Sequence, residues 1–128
     1  MNHQLSYETN MKEIGYLCST IHNHYDSMKP EVFERISRKI AGLLQESYEL
    51  LSSNKSGLEL EIKNVSKTEK SEPMDMERFY RFDRNMNIIG YLYRTLNNGY
   101  NKILPNDYLK NAVRLICLLQ ESGDVLFQ

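Results

Sequence analysis

The chain has 128 residues, of which 41% are hydrophobic and 26% charged, a composition typical of a globular domain and unlike that of a disordered chain. Its 16 Lys and Arg residues against 17 Asp and Glu residues leave a net charge of −1, which argues against a dedicated binder of nucleic acid or of anionic membranes. No stretch approaches the roughly 18 apolar residues that span a bilayer, and no secretory signal pattern opens the chain. We therefore expect a single cytoplasmic domain, residues 1–128, with no membrane partner.

The first half of the chain predicts two helices joined by a short turn. Apolar residues recur at steps of three and four over residues 4–27 and again over 30–52, which is the period of an amphipathic helix. Pro30 begins the second period, and proline is favoured at the first position of a helix, where its missing N–H is not needed. Residues 4–52 are therefore predicted to form an αα-hairpin.

Residues 53–72 form a predicted linker that is rich in Ser, Lys, Glu and Asn. Within it, residues 58–62 alternate apolar and charged side chains, which is the pattern of a half-buried strand. Three interpretations stay open: an extended strap packed on the bundle, a flexible loop, or a strand that pairs with a partner protein or a second copy of the chain. The third makes Leu58, Leu60 and Ile62 candidate partner-binding residues.

The second half of the chain predicts the same arrangement, with helices at 73–102 and 105–125 in a hairpin that covers residues 73–128. A proline again begins the last helix. The third helix is predicted to be the longest of the four, because aromatic residues extend its apolar period toward a proline-containing start at residue 73.

The two hairpins repeat one another. Residues 10–51 align without a gap on residues 85–126, with 16 identical residues in 42, and the string LLQES occurs in both. Two αα-hairpins can bury their apolar faces against each other. The sequence therefore predicts an all-α four-helix bundle built from two duplicated αα-hairpins with a pseudo-twofold axis. The linker is long enough for the bundle to close within one chain or between two, so a homodimer stays open.

Gly15 and Gly90 occupy equivalent positions in the first helix of each hairpin. Glycine inside a helix costs up to about 1 kcal/mol relative to alanine. Its repetition predicts that two helix backbones cross closely at both positions.

No motif for catalysis or for cofactor binding occurs in the sequence. His22, His24 and Asp26 are the best candidate metal ligands, but His22 and His24 point about 200° apart on a continuous helix. A bundle that encloses a metal or small ligand is the third of our functional hypotheses, and bound metal in the purified protein would support it. We expect no enzyme activity and no cofactor or metal.

The tyrosines favour protein binding as the function. There are nine tyrosines and no tryptophan, and tyrosine is enriched at protein interfaces because it buries area while its hydroxyl still forms hydrogen bonds. Tyr16 and Tyr91 lie off the apolar stripes of their helices, so both are predicted to be exposed and to form a symmetric aromatic patch. Our leading hypothesis is a non-catalytic regulator, inhibitor, immunity factor or chaperone that binds another protein, whose identity the sequence leaves open.

The arginines support an alternative function in a different class. One basic set lies on the second helix and another on the third, where arginine alternates with aromatic residues as on some nucleic-acid surfaces. The candidate nucleic-acid residues are Arg35, Arg38, Lys39, Arg78, Arg81 and Arg84. The net charge of −1 weighs against this alternative.

Overall fold

The computed structural model describes residues 3–51, 62–63, 65 and 75–127, and these residues are almost entirely helical. The four α-helices are α1 (His3–His24), α2 (Pro30–Leu51), α3 (Met76–Asn97) and α4 (Pro105–Leu126). A short 3-10 turn, Tyr25–Ser27, follows α1. The predicted all-α fold class is therefore confirmed, and no strand occurs within the described ranges.

The helices form a closed ring of neighbours within one chain. α1 packs against α2 and α3, and α4 packs against the same two helices. Tyr7 near the start of α1 forms a hydrogen bond with Leu96 near the end of α3. His22 near the end of α1 forms a hydrogen bond with Asp83 near the start of α3. α1 and α3 are therefore antiparallel, and the contacts confirm a four-helix bundle in which α2 and α3 occupy opposite corners.

All four helices contain 22 residues, so the prediction that the third helix is the longest is wrong. α3 begins at Met76 and not at residue 73, because the Asp75 carboxylate accepts a hydrogen bond from the Arg78 backbone N–H at 2.8 Å and caps the helix there. It ends at Asn97, five residues before the predicted boundary, where the chain turns toward Pro105.

Burial repeats at an interval of 75 residues along the two hairpins. Ile14 and Ile89 are both fully buried, as are Leu44 and Leu119 at equivalent positions in the second helix of each hairpin. This shared burial is what a duplicated hairpin requires, while the duplication itself stays a prediction from the sequence.

The close approach predicted at both glycines occurs at Gly15 alone, and it involves a side chain. A Cβ atom at Gly15 would lie 2.6 Å from the hydroxyl of Tyr93, whose ring crosses from α3. At Gly90 the nearest atom is the guanidinium of Arg94, at an ordinary 3.7 Å. The prediction of two crossing backbones is therefore wrong, because the repeat has Cys18 in place of Tyr93 and only the tyrosine needs the space.

The aromatic residues divide the core into two chemically different ends. Tyr7 and Tyr108 are fully buried at one end. Tyr7 donates a hydrogen bond to the backbone oxygen of Leu96, and Tyr108 donates to that of Leu44 at 2.8 Å, so each hydroxyl joins one hairpin to the other. The equivalent residues at the opposite end are Phe82 and Phe33, which are also fully buried but have no hydroxyl.

Part of the predicted linker packs on the bundle. Ile62 is 5% exposed and Val65 is 2% exposed, and both belong to the hydrophobic core. At these two positions the chain behaves as the packed strap that was one of three interpretations. We therefore withdraw Ile62 from the partner-binding candidates, because its side chain already packs against this chain. Leu58 and Leu60 lie outside the described residues.

Two glycine substitutions should change stability in opposite directions. Gly42→Ala should raise the free energy of unfolding by about 0.5–1 kcal/mol, because alanine favours the helix and a Cβ there meets no atom of the described chain within 4 Å. Gly123→Ala should lower it by about 1–3 kcal/mol, because its Cβ would lie 2.7 Å from the ring of buried Phe33. Urea unfolding of both variants tests this pair, and equal shifts of the same sign would contradict it.

Candidate partner-binding surface

Both tyrosines proposed from the sequence are exposed on the surface. Tyr16 on α1 is 72% exposed and Tyr91 on α3 is 68% exposed. No ring contact joins them in the described part of the chain, and Tyr91 lines a groove on α3. The groove between α1 and α3 is lined instead by Tyr93, Arg94 and residues around the two glycines. The two tyrosine rings therefore do not contact each other in the described part of the chain, and the symmetric patch stays a prediction.

The outer face of α3 carries a row of exposed side chains. Met76, Tyr80, Arg84, Asn87 and Tyr91 follow one another at steps of four, four, three and four residues, which places them on one side of the helix. Met76 and Tyr80 are large hydrophobic residues that are more than half exposed. Sequence reasoning named neither as a surface residue, because it followed only the apolar stripe of Phe79 and Phe82 at the start of α3.

This row borders an open groove of about 640 Å³. We call it the Tyr80–Tyr91 groove, and its lining residues are Tyr80, Asp83, Arg84, Asn87, Ile88, Tyr91 and Arg114. A second groove of about 460 Å³ continues toward the start of α3 past Met76 and shares Tyr80 and Arg84 with the first. Together the two grooves form one surface that combines aromatic and apolar groups with three arginines and two acids, namely Arg81, Arg84, Arg114, Glu77 and Asp83.

The acidic residue in the Tyr80–Tyr91 groove is engaged by its neighbours. One oxygen of Asp83 lies 3.0 Å from Nε2 of His22 on α1. The other oxygen accepts a hydrogen bond from the Asn87 amide at 3.3 Å. Neither Arg84 nor Arg114 forms an ion pair with another described residue. With Arg84 and Arg114 against Asp83, the groove carries a net positive charge, and Arg114 of α4 lines it opposite the row on α3.

Three of the six candidate nucleic-acid residues form hydrogen bonds or ion pairs with other groups of this chain. The guanidinium of Arg78 donates to the backbone oxygens of Val125 at 2.7 Å and Leu126 at 3.3 Å, where a cation stabilises the carbonyl end of a helix. Arg78 therefore caps α4 and is not a free surface cation, which corrects its proposed role.

The second helix offers little free positive charge. Arg38 pairs with Glu34 at 2.9 Å and Lys39 pairs with Glu13 at 2.7 Å. Arg35 is exposed on the same helix, as are Arg81 and Arg84 on α3. Because α2 and α3 lie at opposite corners of the bundle, the two predicted basic sets do not form one continuous surface.

The buried ionisable groups favour their neutral forms. Burial raises the pKa of the Cys18 thiol to about 12, so a reactive thiolate is disfavoured at neutral pH. Burial likewise raises the pKa of Tyr7 and of Tyr108. These side chains serve packing and hydrogen bonding inside the bundle.

The candidate metal ligands are separated by the end of α1. His22 is directed to Asp83 across the α1–α3 contact, whereas Asp26 follows in the 3-10 turn. Among the residues with described positions, no group of three or more His, Cys, Asp or Glu side chains is arranged to hold a metal ion.

Comparison with known proteins gives no relative from which a function could be transferred. No family model matches the chain, and neither the curated proteins nor the solved structures contain a significant match. Within the described ranges, every helix is too short or too polar to cross a membrane. The surface chemistry of the bundle is therefore the observation on which a functional proposal rests.

Proposed function

We propose that this protein is a non-catalytic cytoplasmic module that binds another protein through the outer face of α3. The observation that supports this most is the row of exposed Met76, Tyr80 and Tyr91 beside Arg84 and Arg114. Tyrosine and arginine are the residues most enriched at the energetic centres of protein interfaces. Exposed hydrophobic side chains that are clustered along one groove mark interaction sites.

The core supports a binding role in a second way. The four helices bury their apolar faces within one chain, so the exposed row on α3 is not needed to complete the bundle. A second copy of the chain could use the same row, which would make the protein a homodimer. We favour a different protein as the partner. Such a module would act as a regulator, an inhibitor, an immunity factor or a chaperone.

Nucleic acid is the competing occupant of this surface, because Arg81 and Arg84 lie beside exposed Tyr80. The pairing of Arg38, Lys39 and Arg78 with groups of this chain makes that alternative less favourable. Phosphate binding would also weaken steeply between low and moderate salt.

Affinity capture from lysate of the source cells, with and without nuclease treatment, tests the proposal. The wild type, Tyr80→Ala/Tyr91→Ala and Tyr16→Ala should be compared at 50 and 200 mM salt. We expect one protein in stoichiometric amount that is retained by the wild type and by Tyr16→Ala and lost from the double variant. Capture that disappears with nuclease, or that the double variant retains, would contradict protein binding at α3. Tyr16→Ala is the matched control, because it removes an equally exposed tyrosine from the equivalent helix.

A further inference from the structure

The charged residues that line the Tyr80–Tyr91 groove in the second hairpin differ from the residues at the equivalent positions of the first hairpin. In the first hairpin, the residues equivalent to Ile88 and Arg114 are Glu13 and Lys39. These two form an ion pair with an N–O distance of 2.7 Å between α1 and α2. The cation at this position of the first hairpin is therefore neutralised within the chain.

The second hairpin has the cation but not its partner. Ile88 replaces the glutamate, so Arg114 faces an apolar side chain and the ring of Tyr91 across the groove. Arg84 adds a second positive charge where the first hairpin has Thr9. The acid that remains, Asp83, is bound to His22 and Asn87. The groove therefore contains two arginines against one acid, and neither arginine forms an ion pair with another described residue.

The length of the groove indicates the form of its occupant. From Tyr80 to Tyr91 the α3 backbone rises about 16 Å, or three helical turns. Ile88 and the two tyrosine rings offer an apolar floor between the arginines. An amphipathic helix of three to four turns fits such a groove by placing its apolar face on the floor, and carboxylates beside that face would meet the arginines.

We propose that the Tyr80–Tyr91 groove binds an acidic amphipathic helix of a partner protein, with an apolar side chain between Tyr80 and Tyr91 and carboxylates on Arg84 and Arg114. This inference rests on the proposed protein-binding function and specifies the chemistry of the partner. Arginine binds carboxylates with two parallel hydrogen bonds, so both arginines should contribute to affinity as well as to the rate of association.

A displayed library of random 16-residue peptides, selected on the full-length protein, tests this chemistry. We expect the selected peptides to combine Asp or Glu with aromatic or aliphatic residues at helical spacing. A synthetic peptide of the most enriched sequence should bind Arg84→Gln/Arg114→Gln about tenfold or more weakly than the wild type. The control variant Arg35→Gln/Lys39→Gln removes the same charge from α2, and its affinity should stay within about twofold of the wild type.

Charge reversal distinguishes specific recognition of acidic residues from nonspecific peptide binding. The same peptide with lysine in place of each acid should fail to bind the wild type and should regain binding to Arg84→Glu/Arg114→Glu. Failure to select any peptide, or selection without acidic enrichment, would overturn the proposed acidic helix. Equal binding by the arginine-to-glutamine variant would overturn it too.

Two further outcomes distinguish this inference from the proposed function. In the first, the peptides lose binding to Tyr80→Ala/Tyr91→Ala yet bind Arg84→Gln/Arg114→Gln as tightly as the wild type. That result would leave α3 as a protein-binding face and would overturn the proposal that its partner is acidic. A 15-nucleotide oligothymidine that binds more tightly than every selected peptide, and that displaces them from the groove, would overturn both.

Discussion

Tyr108→Ala is expected to lower the free energy of unfolding by about 3–5 kcal/mol, which is the usual cost of removing a large buried aromatic side chain. The ring is fully buried and packs against the rings of Tyr7 and Tyr48, with centroids 6.3 and 6.1 Å away. Its hydroxyl donates to the Leu44 oxygen on α2 at 2.8 Å. The substitution therefore removes both packing and a hydrogen bond between the hairpins.

Two further variants separate these contributions. Tyr108→Phe keeps the ring and should cost about 1 kcal/mol for the lost hydrogen bond, which matches the phenylalanine that the first hairpin has at this position. Tyr16→Ala removes a tyrosine that is 72% exposed and should stay within about 0.5 kcal/mol of the wild type. Guanidinium unfolding at neutral pH measures all three, and a loss below 1 kcal/mol for Tyr108→Ala would contradict the described core.

Alkaline pH should destabilise the bundle strongly. Burial raises the pKa of Cys18 from 9.0 to about 12 and raises the pKa of Tyr7 and of Tyr108 above 10.0. Above these ordinary values the unfolded chain loses protons that the folded chain keeps, so stability falls as pH rises. These groups do not lower stability below about pH 9; above it stability falls first through Cys18 and, above about pH 10, through the two tyrosines as well.

The combined effect should be a progressive loss of stability between about pH 9 and pH 12. A typical domain is stabilised by only roughly 5–15 kcal/mol, so a loss of stability through three buried groups should be large enough to measure. Helical circular dichroism followed from pH 7 to 12, with urea titrations at fixed pH, measures this loss. Cys18→Ala should remove the part that begins near pH 9, whereas Cys117→Ala should not, because Cys117 is exposed. Stability that stays constant to pH 12 would contradict burial of these three side chains.

The helical pattern was predictable because burial in a bundle follows a period that the sequence displays. The steps of three and four around Ile14 and Leu44 correspond to buried positions, and the prolines mark the starts of α2 and α4. Helix ends were less predictable, because they depend on single hydrogen bonds. The Asp75 cap begins α3 three residues later than the period suggested.

The surface was harder to predict than the core. The exposure of Tyr16 and Tyr91 follows from their position off the apolar stripe. The apolar stripe does not show which other helix contributes side chains beside each tyrosine. Arg114 reaches the groove from α4, and Arg78 turns away to the end of α4. Both facts depend on how α3 and α4 pack against each other.

Photo-crosslinking from position 91 in living source cells tests most directly whether the α3 face binds a protein. The photoreactive benzoylphenylalanine should replace Tyr91 in one strain and Tyr16 in another, since both positions are exposed on equivalent helices. We predict one nuclease-resistant protein adduct at position 91, absent at position 16 and lost when Arg84→Glu/Arg114→Glu is added. Equal adducts at both positions, adducts to nucleic acid, or no adduct at position 91 would contradict protein binding at this face.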